Sequence, residues 1–254
     1  MLKLSACIEM IFRDLPFPDR IAKVAECGLP ACEFWRWVDK DLDAIVKAKD
    51  AAGIAIACCS CDTRGPLVAD GSAATFVEGL KASCEAAHRL GTRTLIVTTG
   101  QEIPGKPRSE QHANIVTALK EGAPIAEREG ITLVLEPLNV LVNHKGYYLS
   151  TSAEGFEILR EVGSPNVKLL FDIYHQQITE GNLINNIRDG IDLIGHFHVA
   201  DNPGRNEPGT GEINYRNVFK AIEAAGYQGY VGLEYHPLAD PAETLKNTLA
   251  LARG

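Results

Sequence analysis

The stretch Gly130-Ile131-Thr132-Leu133-Val134-Leu135-Glu136-Pro137 holds the repeating unit of the whole chain. A helical segment, Ser109–Glu129, stops at a glycine. An apolar run, Thr132–Pro137, follows and ends in a carboxylate. Glycine just past the last helical residue is the left-handed cap that lets a chain turn out of a helix. The run is continuously apolar rather than alternating, which suits a strand buried on both faces of a parallel sheet.

The same unit recurs along the chain. The other predicted strands are Leu2–Ile8, Ala31–Trp37, Ile54–Cys61, Thr94–Thr99, Lys168–Tyr174, Ile194–Ala200 and Tyr230–Tyr235. Helices are predicted at Pro18–Cys27, Asp41–Ala52, Ala73–Leu90, Ser152–Val162, Leu183–Arg188, Tyr215–Ala225 and Ala242–Ala252, and glycines 28, 53, 91, 163 and 226 close five of them. Eight strand–helix units in 254 residues predict an α/β fold: one (β/α)₈ TIM barrel, residues 1–254 as a single catalytic domain, since such barrels typically take about 250 residues. A dinucleotide-binding open sheet would need a Gly-x-Gly-x-x-Gly turn after a strand. Pro208-Gly209-Thr210-Gly211 does not match that pattern, and it follows the seventh strand.

The composition narrows the function classes. Net charge is −8 and 45% of residues are hydrophobic. An acidic chain is a poor match for nucleic acid or an anionic membrane, both of which reward basic surfaces, so a small-molecule substrate is expected. No apolar run nears the roughly 18 residues of a membrane span, and Glu9, Arg13 and Asp14 interrupt the N-terminal segment, so no signal peptide is expected. Seven cysteines in mostly apolar surroundings predict a cytoplasmic chain with reduced thiols. Cys58-Cys59-Ser60-Cys61 lacks a second Cys or His pair at metal-binding spacing and is read as structural, with Cys59 or Cys61 facing a pocket. Barrel faces are compatible with homo-oligomers, though no patch marks one.

In barrels the active site lies where the strands end. The fifth strand ends in Glu136, the sixth in Asp172, the seventh in His198 and the eighth in Glu234. Any one of these alone reads more simply as a cap, a salt-bridge partner or a hydrogen-bonded core histidine. Four on consecutive strands at one height read as a metal site, because buried carboxylates need a compensating charge. Three oxygens and one nitrogen suit Mg²⁺ or Mn²⁺, with Co²⁺ as a further option. Glu136 and Glu234 could then remove and return a proton next to a carbonyl that the cation polarises. Return to the neighbouring carbon is aldose–ketose isomerisation; return to the same carbon is epimerisation.

These residues carry a resemblance. The runs Asp172-Ile173-Tyr174-His175, Gly195-His196-Phe197-His198-Val199-Ala200-Asp201-Asn202-Pro203 with Arg205, and Glu207-Pro208-Gly209-Thr210-Gly211-Glu212-Ile213-Asn214-Tyr215 resemble the hydroxypyruvate isomerase family of the xylose isomerase-like barrels. Glu136-Pro137-Leu138-Asn139 and Gly146-Tyr147-Tyr148-Leu149 fit as well. The resemblance implies that Glu136 and Glu234 are both metal ligands and the catalytic proton-transfer pair, and that Asp172 and His198 complete the metal site. It further implies that His175, Arg205, Glu207 and Asn139 bind substrate or shape its loop. The implied reaction converts hydroxypyruvate to tartronate semialdehyde, or isomerises a 2-oxo-tetronate. Three positions depart from the pattern: His198 stands where a glutamine is usual, Val142 where ketose 3-epimerases carry an acid, and Cys59-Ser60-Cys61 where a His-Asn pair is usual. A ketose 3-epimerase, a dehydratase, a phosphodiesterase of the endonuclease IV type and a non-catalytic sugar-binding barrel are the alternatives. Glu9, Glu33, Trp35, Trp37 and Phe12 are further candidates for the substrate face, with barrel packing the simpler reading of each, and His88 and His112 are read as outer-helix residues.

Overall fold

The computed structural model describes residues 1–254. Nine parallel strands run in the order β3-β2-β1-β9-β8-β7-β6-β5-β4. They are β1 Lys3–Cys7, β2 Ala31–Glu33, β3 Ala55–Ile56, β4 Cys59–Ser60, β5 Thr94–Val97, β6 Thr132–Leu135, β7 Val167–Asp172, β8 Ile194–Val199 and β9 Tyr230–Leu233. The predicted third strand is thus in two pieces. Its first half pairs with β2 and its second half with β5. Because one stretch of chain reaches both edges, the sheet closes into a cylinder of eight staves: β3 and β4 share one, and β6 to β9 are the fifth to eighth.

Helices α1 Phe17–Glu26, α2 Leu42–Ala52, α3 Ser72–Leu90, α4 Arg108–Glu129, α5 Ser152–Val162, α6 Ile173–Thr179, α7 Leu183–Gly190, α8 Tyr215–Ala224 and α9 Pro241–Ala252 surround it. The glycine caps hold. Gly53, Gly91, Gly130 and Gly163 are left-handed C-caps. Gly28 and Gly226 lie one residue further on, also at positive φ. The core has two parts. A large cluster packs the outer sheet face against the helices, and Cys58, Ile96, Val134 and Leu170 form a small layer inside the barrel.

That inner layer sets the height of the site. Side chains alternate along a strand, so the residue two beyond an interior one also points inward. Glu136 follows Val134 and Asp172 follows Leu170 by this rule. In β8 the rule needs help. Leu169 pairs with Ile194 but Leu170 pairs with His196, so Gly195 is an extra, bulged residue. In an unbulged ladder Gly195 would pair with Leu170 and His196 with Phe171, pointing outward to the helices. The bulge therefore turns both His196 and His198 into the barrel, the re-aiming that bulges are suited to. Only glycine fits there: a Cβ on Gly195 would lie 2.7 Å from Lys168 Cβ and 2.8 Å from Val134 Cγ1.

One boundary differs from the sequence expectation of a strand over Lys168–Tyr174. The strand stops at Asp172, whose Oδ1 accepts the His175 N–H at 3.0 Å and caps α6. The helix is too short to show a 3.6-residue period in the sequence. The capping carboxylate is the signal that marks it.

Gly195→Ala is expected to lower stability by about 1–3 kcal/mol, the usual cost of overpacking. A urea titration should show a lower midpoint at unchanged slope; an unchanged midpoint would mean that the bulge has room to spare.

Candidate active site

Glu136, Asp172, His198 and Glu234 converge inside the barrel mouth, with one ligand atom of each within 4.8 Å of the others. Their centre is His198 Nδ1. It lies 3.5 Å from Glu136 Oε1, 3.6 Å from Glu234 Oε2 and 4.0 Å from Asp172 Oδ2. All four residues are buried, and Nδ1 has no hydrogen-bond partner. Three carboxylates crowded in a low-dielectric site repel one another unless a cation stands among them.

The carboxylates are held differently. Glu234 receives a hydrogen bond from Trp35 Nε1 at 2.7 Å and another from Arg205 Nη2. Burial alone would raise its pKa, but His198 and Arg205 outweigh burial and hold it below the ordinary value. Burial pushes Glu136 up, with His198 pulling the other way. Asp172 is raised by burial and by Glu234. His198 is held well above the usual imidazole range, against burial, chiefly by Glu234 and Glu33.

Two neutral or cationic donors flank the cluster. His175 Nδ1 accepts the Asn139 N–H at 3.2 Å, which leaves the proton on Nε2. That Nε2 is buried without a hydrogen-bond partner, 3.7 Å from Asp172 Oδ2. Burial, reinforced by Arg205, keeps the ring neutral. Arg205 lies with its guanidinium carbon 5.4 Å from the Tyr174 ring centre, and its Nε has no partner. Its backbone adopts the left-handed region at φ 57°, uncommon for a residue with a Cβ and strained enough to need support. The support is Asp201, fully buried in the loop after β8. Its Oδ1 accepts from Asn202 N at 2.9 Å and Ile213 N at 3.1 Å, and its Oδ2 from Gly209 N at 2.8 Å.

Asn139 and Glu207, expected to bind substrate or shape its loop, have side chains engaged within the protein. Asn139 is fully buried, with Nδ2 2.6 Å from His175 Nδ1 and Oδ1 accepting from Val142 and Asn143 amides. Glu207 Oε2 accepts the Leu238 N–H at 3.0 Å and straps the loops after β8 and β9 together. The weaker candidates separate. Trp35 is a hydrogen-bond donor to Glu234, rather than only an apolar wall. Glu9 pairs with Lys40 at 2.7 Å, and Phe12 and Trp37 pack with the core. His88 and His112 sit on α3 and α4, against Glu129 and Glu161. Cys61 lines a groove of about 250 Å³ with Trp37, Ser60 and Thr98 at the ends of the third and fourth staves; Cys59 is buried.

Of the two sequence readings of Glu33, substrate face or barrel packing, the structure bears out packing: it is 2% exposed, beneath the cluster. Its Oε1 lies 2.8 Å from His198 Nε2 and its Oε2 3.2 Å from His196 Nε2, while Ser5 Oγ donates to Oε2. A glycine two residues before Glu234 was the available signal, since a glycine inside a strand marks a close approach.

Known proteins share this arrangement of staves. The family described as xylose isomerase-like TIM barrel matches residues 21–253. A hydroxypyruvate isomerase of Escherichia coli (strain K12) is 34% identical, with 93% of this chain and 94% of the relative covered. A 2-oxo-tetronate isomerase of Cupriavidus necator is 31% identical, with 94% of each covered. A Brucella melitensis structure titled AP endonuclease, family 2, superposes with a TM-score of 0.93 at 28% identity, covering 98% of this chain and 99% of that one.

Ionised Glu136 is a burden on the folded state, because its folded pKa is raised. The burden grows as pH rises from the ordinary carboxylate range to the raised value, and fades over the same window as pH falls. Chelator-treated Glu136→Gln is therefore expected to melt about 2–4 °C above wild type at neutral pH, the shift for roughly 1 kcal/mol in a chain of this size. The gap should close on acidification. A lower melting temperature at neutral pH would refute this reading of the site.

Proposed function

The chain belongs to the hydroxypyruvate isomerase group of the xylose isomerase-like TIM-barrel family, and from that premise we propose that it is a divalent-metal-dependent isomerase of a small hydroxy-oxo acid. Hydroxypyruvate and 2-oxo-tetronates are the substrate class. The observation that carries the reading is His198 Nδ1, buried and unpartnered within 4.0 Å of three carboxylates. That donor set of three oxygens and one nitrogen fits Mg²⁺, Mn²⁺ or Co²⁺. When bound, such a cation supplies Lewis-acid polarisation of the substrate carbonyl and offsets the charge of the enediolate.

The chain's own residues do the rest. Glu136 has no hydrogen-bond donor fixed to its carboxylate and takes the proton from the hydroxyl-bearing carbon next to the carbonyl. The C–H electron pair moves into a C=C bond, giving the enediolate. A proton then returns to the former carbonyl carbon, and the hydroxyl proton passes from the old hydroxyl oxygen to the new one. Glu234, held on the other flank by Trp35 and Arg205, is the second acid–base group. His175 offers its Nε2–H to a substrate oxygen, and Arg205 offers Nε–H to the substrate carboxylate while Nη2 stays with Glu234. Asn139 and Glu207 act from behind, Asn139 by fixing the His175 tautomer and Glu207 by tying down the loop that carries Arg205.

Same-carbon epimerisation of a free ketose uses the same two glutamates and is the second reading. Arg205 favours the acid substrate, because its unpartnered Nε matches a carboxylate. The Brucella structure is named an AP endonuclease. A duplex binder needs a basic face, and this chain carries −8. A dehydratase would begin with the same proton abstraction but release water.

Incubation in D₂O with hydroxypyruvate and Mn²⁺ should place deuterium on the carbon beside the carbonyl. Glu136→Gln should lower kcat by about 10²–10⁴-fold, the worth of a positioned base. Full activity in that variant, or product with water lost, would overturn the assignment. Arg205→Lys should raise KM for hydroxypyruvate about 10-fold or more, as expected for a lost charge-assisted hydrogen bond of about 1.5–3 kcal/mol. Equal losses on neutral ketoses would remove Arg205 from carboxylate recognition.

A further inference from the structure

We propose that Glu33 is the positioning residue of the metal centre: it seats the His198 ring from beneath, so that Nδ1 faces Glu136, Asp172 and Glu234. The inference rests on the metal-site reading above and extends it to residues outside the ligand set.

The geometry is a stack. His198 presents Nδ1 upward to the three carboxylates and Nε2 downward to Glu33 Oε1 at 2.8 Å. Glu33 Oε1 is the carboxylate oxygen against Nε2, and it is closer to the ring than any of the three carboxylates against Nδ1. Metal-bound histidines commonly present the second nitrogen to a carboxylate, which orients the ring and raises its basicity.

Glu33 is itself held. Ser5 donates to Oε2, and His196 Nε2 lies 3.2 Å from it. Gly232 provides the space: a Cβ there would sit 2.2 Å from Glu33 Oε1 and 2.7 Å from its Cδ. Pairing aligns Gly232 with both Ser5 and His198, so the vacancy opens directly between the serine and the imidazole. A buried carboxylate is costly unless its partners are built around it. Here the β8 bulge, Ser5, His196 and Gly232 all serve one carboxylate whose charged contact is a metal ligand. An ion pair serving only stability would have no reason to end on that ligand.

The same atoms allow a rival. Glu33, Cys58, His196 and His198 also present ligand atoms within 4.8 Å of one another, so Glu33 could itself ligate a second cation lower in the barrel. Binding stoichiometry separates the two.

The test is titration of the full-length apoprotein with Mn²⁺, followed by the free-ion electron paramagnetic resonance signal, with melting temperature measured alongside. Wild type should bind one Mn²⁺ per chain. Glu33→Gln should still bind one, about 10- to 100-fold more weakly, the usual effect of losing an outer carboxylate. In the Co²⁺-loaded protein its visible absorption bands should also shift. Should Glu33→Gln fail to fold, Ser5→Ala frees Oε2 and is expected to weaken Mn²⁺ a few-fold. Unchanged Mn²⁺ affinity in the folded variant, with or without a fall in melting temperature, would overturn the proposal and leave the metal site standing. Two Mn²⁺ in wild type, one of them lost with Glu33, would make Glu33 a ligand and likewise overturn it. No Mn²⁺ binding in wild type would bring down the metal-site reading together with this one.

Discussion

Three carboxylates share a buried space around one imidazole nitrogen, and most features of the barrel mouth follow from keeping that arrangement tolerable. Like charges at this spacing and burial repel strongly. Arg205 and Trp35 offset part of that repulsion at Glu234, and His198, braced on Glu33, stands among the carboxylates. Under the proposed function a cation at Nδ1 of the neutral ring would offset the rest. On that reading the centre is a binding site built ahead of its ligand, a trade against stability common at active sites.

Rigid elements make the convergence reproducible. Glu136 and Glu234 stand one residue beyond their strands, Asp172 and His198 within theirs, so four hydrogen-bonded staves fix their heights. The β8 bulge at Gly195 adjusts the parity of one stave so that its histidines face inward. Loops, where barrels commonly carry specificity, bring in the remaining groups. Arg205 reaches the site from a loop knotted around Asp201, and Trp35 from the loop after β2. Changing substrate by altering those loops would leave the four-residue centre in place.

The barrel was readable in the sequence because its signals are local and repeated. Glycines 53, 91, 130 and 163 mark helix ends, and apolar runs such as Leu133–Leu135 mark doubly buried strands. The candidate ligands were readable for the same reason, each following such a run. The break in the third stave was hidden, since Ile54–Cys61 reads as one apolar segment and only pairing to two different neighbours divides it. Helix α6 was hidden because seven residues carry no period. The partners of Glu33 were not readable: Gly232 signals a close approach within its strand, but that Glu33, some two hundred residues away, fills the space shows only in three dimensions, as does the register of the bulge. Asn139 and Glu207 carry motif-like surroundings, yet only three dimensions show that their side chains are consumed by His175 and Leu238.

Anomalous diffraction from a manganese-soaked crystal tests the centre most directly. One anomalous peak per chain is expected, bonded to Glu136, Asp172, His198 Nδ1 and Glu234, with Glu33 retained against Nε2. A peak elsewhere, or those four side chains apart with no ion between them, would contradict the proposed chemistry and leave the barrel alone established.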